Sequence, residues 1–535
     1  MEERKVQILI VDLGSQYTQI IRRSLRYLGF HSVIISPDKS LEWARANKPK
    51  SIILSGGTIN ISDSDAPEIP KGILDMGAPV LGICLGMQWL AYINDKDSIQ
   101  AVPESKSYGP VEVTVDTRSK LFEGLEKINP HTFFFEVFSK RSKSIKKEGV
   151  GVNAWSSHGD SVKKAPSGFK AIATSKGGKV LEAMECAEKK LWAVQFHPEV
   201  EQTEDENIIL NNFVSKICGC TQDYDKKDAI EEIRQNTKKI LGGSTAIIGV
   251  SGGVDSTTLA AILAGALGEQ LKAFMIDTGG MRKDEVLKVK EIAKKAGIKL
   301  EVIDKYKNKF IAEIGKTTDA EEKRAKFREV YGEVFKEVAK SYNATHMIQG
   351  TLATDLIESG NAGKSALIKT HHNVDLDLGL KEIMPLADFF KFEVREFARE
   401  FKLDELLSSR QPFPGPGLYL RVIGVPVTAE LLEIVREADH EVAEILKKRG
   451  LYDKISQTIV ALLGVNTVGV KGDGRVYGYS IIVRAVETVD FMTVKGFYLS
   501  PEICEEITGA LVKHPQIVRV LYDWTSKPPA TTEFE

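Results

Sequence analysis

Apolar residues fall along this chain in two patterns. Short unbroken runs rich in β-branched residues, VQILIV from Val6, HSVIIS from His31, SIILSGG from Ser51 and APVLGIC from Ala78, have the length and composition of buried strands. Each begins about 20 to 27 residues after the last, room enough for a crossover helix between parallel strands. The rhythm returns beyond the middle. TAIIGV ending at Val250, LKAFMID, KLEVID and THMIQG read as strands, and TTLAAILAGAL as the helix behind the first. The pattern predicts an α/β chain with two parallel-sheet α/β domains followed by a smaller α+β domain.

Between the two rhythms the stretch Cys218 to Asp228 is polar and aperiodic and reads as a linker. Asp228 with Glu231 has capping-box spacing, and Ile230, Ile233, Ile240 and Leu241 lie on one face of the helix it would start. The basic, polar stretch from Lys140 to Lys147 reads as a loop or an exposed helix. PFPGPG from Pro412 to Gly417 interrupts regular structure. Beyond it a long helix over Val427 to Arg449, strands around GYSIIVRAV and a helix over Pro501 to Val512 form the final unit. The expected divisions are 1–217, a linker over 218–228, 229–410 and 411–535.

Composition then narrows the function. With 72 basic against 74 acidic side chains, the chain lacks the basic excess of a nucleic-acid binder. A small anion needs only a few local cations and amides, so phosphate ligands stay open. Five cysteines (Cys84, Cys186, Cys218, Cys220 and Cys504) make neither a disulfide framework nor a zinc set, and they predict a reducing, cytoplasmic setting. No apolar run reaches the length of a membrane span, and Asp12 cuts the first run too short for a signal peptide.

Gly82-Ile83-Cys84-Leu85-Gly86 lies between a predicted strand and a predicted helix. A nucleophile flanked by glycines at such a junction forms an elbow, where the helix N-terminus favours a thiolate. A buried cysteine in a tight turn fits the same residues equally well. LWAVQFHPE, ending in His197 and Glu199, supplies what a nucleophilic cysteine needs, a base and a carboxylate to orient it. GICLGMQ and QFHPE together resemble the class I glutamine amidotransferases over about residues 6–217. That resemblance implies Cys84 as nucleophile, His197 as general base and acid, and Glu199 as its orienter. It also implies that Gly56 and Gly57 of the SGG loop and the amide of Leu85 build an oxyanion site, with Gln88 contacting glutamine. The family usually reads SGGP, whereas Thr58 follows here. SHGD from Ser157 to Asp160 also resembles the family.

Ser251-Gly252-Gly253-Val254-Asp255-Ser256, followed by Thr257, sits at a second strand–helix junction. Glycines allow an amide nest, the helix dipole favours an anion, the hydroxyls of Ser251, Ser256 and Thr257 add donors, and Asp255 offers magnesium an oxygen. An ordinary strand–turn–helix junction needs much less than this loop contains. The loop lacks the lysine of a Walker A loop and resembles the phosphate loop of N-type ATP pyrophosphatases, which cleave ATP between its α and β phosphates.

Further motifs are weak alone. Asp355 and Glu358 share a helical face and could hold metal or hydroxyls, or simply be solvated. KTHHNV from Lys369, RQPFPGPGLYLRV from Arg410 and SKPPATTEFE from Ser526 read equally as a polar loop, an interdomain linker and a frayed tail. In order with VGVKGDGR and RAVETVDFMT, however, they resemble the glutamine-hydrolysing GMP synthases along essentially the whole chain. The resemblance implies ATP with Mg2+, glutamine and XMP as reactants, and a homodimer formed through the C-terminal domain. XMP contacts would fall to Arg324, Lys369, Thr370, His371, His372, Arg484, Lys527, Thr532 and Glu533. The chain departs from the family at Thr278–Met281, at Phe392 and at Gly464–Thr467. A ligase with a different acceptor and a non-catalytic purine-nucleotide binder remain the alternatives.

Overall fold

The computed structural model describes all residues except 1–5, 16, 60, 62–65, 101–106, 126–144, 147–148, 201–202, 204–205, 359–378, 404–406, 408–410 and 489–492. The chain divides into two compact units. The first holds residues 1–229 with 353–365 and 388–390, and the second holds the remainder.

The first unit is built on a ten-stranded sheet. Its parallel part sets Ser32–Ile35, Ile8–Val11, Ser51–Leu54, Val80–Ile83 and Leu191–Val194 side by side. The last four are buried at every residue, as strands covered on both faces must be. An antiparallel extension follows through Val180–Cys186, Lys170–Ser175, Ser107–Val115 and Gly149–His158. Register decides what this sheet brings together. Leu54 lies opposite Gly82 and Val194 opposite Ile83. The residues just past these strand ends, Ser55–Gly57, Cys84 and Gln195–His197, therefore converge on one edge of the sheet.

The predicted linker is not free chain. Gln7 donates through Nε2 to Thr221 O (2.9 Å) and to Asp223 Oδ2 (2.7 Å), and Cys220 is buried. The capping box at Asp228 does not start the next helix. That helix runs Lys226–Leu241, and Asp225 Oδ1 accepts from the Lys227 amide at 2.8 Å. A carboxylate three residues earlier thus reaches the open amides first, and Asp228 is left in the first turn, where its charge still suits the dipole. Ile230, Ile233 and Leu241 are buried as expected, and Ile240 is half-buried.

In the second unit a five-stranded parallel sheet runs Leu300–Ile303, Leu271–Ile276, Ala246–Gly249, His346–Ile348 and Lys381–Ile383. A second sheet is dominated by a long hairpin, Gln457–Lys471 against Gly474–Glu487, with Ile517–Tyr522 parallel to the second strand. The helix Ala429–Lys448 starts where Thr428 Oγ1 accepts from Leu431 N (3.2 Å). It packs its buried stripe, including Leu432, Val435, Val442 and Leu446, into one core that joins both sheets, from Ile247 and Phe274 to Val460 and Ile481.

Candidate active sites

Cys84 follows the strand Val80–Ile83 and caps the helix Leu85–Asn94 with φ 51° and ψ −104°, a conformation that side chains other than glycine rarely adopt. Its amide donates to Val194 O at 2.8 Å, which ties the strained turn to the neighbouring strand. The flanking glycine is a spatial necessity. A Cβ on Gly86 would lie 2.6 Å from Leu54 O. Strain held by packing on both sides is what presents the sulfur beyond the sheet edge.

His197 and Glu199 are buried, and Nδ1 of the ring lies 2.8 Å from Glu199 Oε1. Burial disfavours a charged ring, but the Glu199 carboxylate and the Cys84 sulfur outweigh it and hold the His197 pKa well above its ordinary value. The His197 amide donates to Trp155 O (2.9 Å), and Thr203 Oγ1 donates to His197 O (2.6 Å). Tyr17 meets the ring edge-on, with centroids 4.7 Å apart. Gly56 also borders the ring, because a Cβ there would stand 3.0 Å from His197 Cε1. Gly86 N donates to Ser55 O at 3.2 Å, binding the SGG loop to the start of the helix. Gln88 Nε2 donates to Asp160 O (2.8 Å) and joins SHGD to the site. Burial lowers the pKa of His158 in that segment to about 4, so a neutral ring lies close to the charged pair.

Sequence reasoning missed two neighbours. Gln195 is fully buried and donates through Nε2 to Cys84 Sγ at 3.8 Å. Glu182 on the next strand is buried as well. The glutamine is part of QFHPE, and nothing in that motif signals its contact with Cys84. The glutamate gave no signal, since a single acidic residue in a strand reads as solvent-facing.

At the second site the helix Val254–Leu267 begins after Gly253, with Gly252 at φ 74°. Ser251 N donates to Ser256 Oγ (3.2 Å), the two serine hydroxyls lie 3.1 Å apart, and Gly253 N donates to Ser251 Oγ (3.3 Å). Thr257 differs from expectation. It is fully buried beneath the loop, because the fourth residue of a helix entering a covered sheet turns inward, and its amide closes onto Gly253 O. Asp255 Oδ2 accepts from Lys391 Nζ at 2.6 Å, while Oδ1 is buried without a partner. Lys391 sits beside Phe392 and was not singled out from the sequence.

The divergent stretch Thr278–Met281 packs on the C-terminal part of the chain. Tyr419 OH donates to Thr278 O (2.6 Å), and Arg436 donates to Gly279 O (2.6 Å) and Met281 O (2.9 Å). Gly279, Met281 and Arg436 border a cavity of about 440 Å3 lined also by Asp277, Arg282, Lys307 and Leu432. At Gly464–Thr467, Gly464 lies against Val425, and Thr467 Oγ1 is 3.5 Å from Ser480 Oγ.

The C-terminal segment is docked rather than frayed. Arg484 is buried and donates to Thr531 O (3.2 Å), Thr532 O (3.2 Å), Thr525 O (2.7 Å) and Asp523 Oδ2 (2.6 Å). Glu533 Oε1 accepts from Arg421 Nη2 (3.2 Å) and Gln457 Nε2 (2.6 Å), and its Oε2 is buried without a partner. Lys323, fully buried, donates to Glu535 Oε2 and Val422 O, both at 2.6 Å. Arg324 reaches Glu535 O at 2.6 Å. Lys527 pairs its backbone with Val494 (2.9 and 3.1 Å). Arg324, Arg484, Lys527, Thr532 and Glu533 are thus gathered along one tail. Lys369, Thr370, His371 and His372 lie outside the described residues, as do the Glu358 side chain and most of the stretch from Lys140 to Lys147. Asp355 is exposed on the short helix Ala353–Glu358.

Three family models match separate stretches of the chain. The family described as Glutamine amidotransferase class-I matches residues 9–217, Asparagine synthase matches 247–357, and GMP synthase C terminal domain matches 444–534. Three curated relatives carry the name GMP synthase (glutamine-hydrolyzing). The one from Brachyspira hyodysenteriae is 38% identical, covering 100% of this chain and 100% of the relative. The one from Nitratidesulfovibrio vulgaris is 37% identical over 100% of each chain. The third, from Caldanaerobacter subterraneus subsp. tengcongensis, is 38% identical over 99% of each.

Proposed function

Because the chain belongs to the glutamine-hydrolysing GMP synthase family, we propose that the two sites described above divide one reaction between them. The enzyme hydrolyses glutamine to ammonia and, with ATP, uses that ammonia to convert XMP to GMP, releasing AMP and pyrophosphate. The observation that carries the assignment of roles is the strained Cys84 turn placed by strand register next to the His197–Glu199 pair.

In the first site Cys84 attacks the carboxamide carbon of glutamine. The oxyanion is held by the Leu85 amide and the amides of the Gly56–Gly57 loop. His197 gives a proton to the leaving ammonia, then takes one from the water that hydrolyses the thioester, and Glu199 holds the ring oriented throughout. Gln88 helps to seat the glutamine.

In the second site the amides of Gly252, Gly253 and Val254 and the hydroxyls of Ser251 and Ser256 hold the ATP phosphates, with Thr257 supporting the loop from below. Lys391 adds positive charge at the same place. The partnerless Asp255 Oδ1 suits Mg2+, a hard ion that takes carboxylate oxygen; Asp355 and Glu358 are a separate candidate pair for metal. Bound there, Mg2+ supplies charge neutralisation on the phosphate oxygens. Adenylation of O2 of the xanthine releases pyrophosphate, and attack by ammonia at C2 releases AMP. XMP is bound by Arg324, Lys369, Thr370, His371, His372, Lys527, Thr532 and Glu533, while Arg484 acts by holding the tail in place.

The C-terminal hairpin supports a homodimer. Val465, Val468, Val470 and Tyr477 near its tip are 47 to 75% exposed, an apolar patch suited to a second copy. Among the described residues no helix is long and apolar enough to cross a membrane. The five free cysteines suit a reducing compartment, which supports a cytoplasmic location.

The nitrogen source separates the two sites experimentally. Cys84→Ala abolishes GMP formation from glutamine and leaves formation from ammonium salts, whereas Asp255→Ala abolishes both and leaves the basal glutaminase. Equal loss with both donors in Cys84→Ala would refute the division.

A further inference from the structure

We infer that Thr203 is a positioning residue for the glutaminase, because its hydroxyl closes a backbone clamp on His197. The inference rests on His197 serving Cys84 as base and acid, and it adds a residue that neither catalytic motif contains.

His197 lies past the end of the strand Leu191–Val194, and Pro198 after it has no amide to give. Its backbone is held from another part of the chain. The His197 amide donates to Trp155 O (2.9 Å), Thr203 Oγ1 donates to His197 O (2.6 Å), and the Trp155 amide donates to Thr203 Oγ1 (3.0 Å). These bonds form a closed circuit that uses both backbone polar groups of His197 and both of Trp155. Trp155 is available for it because its partner across the strand pair is Pro110, which has no amide for a ladder bond. The Trp155 N–H and C=O therefore turn to the catalytic loop instead.

Thr203 is buried, and its own amide donates to Val200 O at 2.9 Å, so the turn after Glu199 sets the hydroxyl in place. A hydroxyl suits this point because one atom gives a proton to the carbonyl and accepts one from the amide. Glu199 is secured separately, since Ser24 Oγ donates to Glu199 O at 3.2 Å. Removing the Thr203 hydroxyl thus leaves the orienting carboxylate anchored and releases the backbone that carries the imidazole. The ring has little tolerance for that. It must keep Nδ1 2.8 Å from Glu199 Oε1 while meeting the Cys84 sulfur, and a small displacement misaligns both proton transfers.

Steady-state kinetics of the full-length enzyme with glutamine test this. Thr203→Val keeps the shape and removes the hydroxyl. It is expected to lower glutaminase kcat at least about tenfold while KM for glutamine changes less than about threefold. Thr203→Ser keeps both hydrogen bonds and is expected to hold kcat within about threefold of wild type. GMP formation from ammonium salts stays at the wild-type rate in both variants. If Thr203→Val does not fold, Thr203→Cys, whose thiol donates only weakly from a similar volume, carries the same expectation. A smaller kcat loss in the variant without the hydroxyl, an equal loss in Thr203→Ser, a loss carried by KM, or an equal fall in ammonium-dependent synthesis would overturn the inference. Glutaminase that survives His197→Ala would instead sink the reading of His197 as base and acid, so the two failures are distinguishable.

Discussion

Single side chains here act through ångström-scale constraints. A Cβ at position 56 would press on His197 Cε1 from 3.0 Å, and the strained Cys84 turn allows the sulfur no compensating shift. Gly56→Ala is therefore expected to lower glutaminase kcat by about a hundredfold with a smaller change in KM, as steady-state kinetics with glutamine will show. Glu182 makes a separate prediction about stability. Its folded pKa of about 7 lies above its ordinary 4.5. The stability it contributes is present in full below about pH 4.5 and is lost as pH rises through about 7. Glu182→Gln should then raise the melting temperature at pH 8 and not at pH 4, with a ceiling of about 3 kcal/mol. Thermal denaturation at the two pH values checks the sign. Neither residue could have been weighed from sequence. Gly56 is legible as part of a loop, but the closeness of the histidine ring depends on two strands distant in the chain flanking the same strand, Val80–Ile83.

At the scale of elements, legibility followed burial. The strands at Ile8, Ser51, Val80, Ala246 and Leu271 were readable because a parallel strand covered on both faces needs an unbroken apolar run. The antiparallel extension through Val180–Cys186 and Lys170–Ser175 went unread, since its alternation is broken by a bulge between Ala171 and Thr174 and by the inward Glu182. The helix starts before the Asp228 capping box because capping is a contest between nearby carboxylates, decided by geometry. The C-terminal tail could not be read because its partners, Lys323, Arg421 and Arg484, come from three separate elements. Arg484→Met would leave Asp523 and the carbonyls of Thr525, Thr531 and Thr532 without their donor. We expect a loss of about 3 kcal/mol, cleavage of the tail in limited proteolysis, and a raised KM for XMP with glutaminase kcat unchanged.

For the whole molecule, the predicted α/β class is the observed one, and the two candidate sites sit at strand–helix junctions that carry glycines in the sequence. What spacing did not reveal is that the long helix Ala429–Lys448 shares a core with the parallel sheet of the second unit, so the C-terminal hairpin is carried on a rigid base. Such a base suits the proposed dimer surface on the hairpin. Replacing Val468 and Val470 with lysine should convert a dimer into monomers by analytical ultracentrifugation while leaving the melting temperature within about 2 °C, since both side chains already face solvent.

The docked tail has a practical corollary for anyone labelling this enzyme. A fluorophore, purification handle or reporter domain joined after Glu535 would hang from a segment pinned by buried lysine and arginine side chains. Its bulk would pull against those pins at every thermal excursion. Such a fusion would loosen the docked tail, and any change it caused would be an artefact of the tether rather than a property of the catalyst.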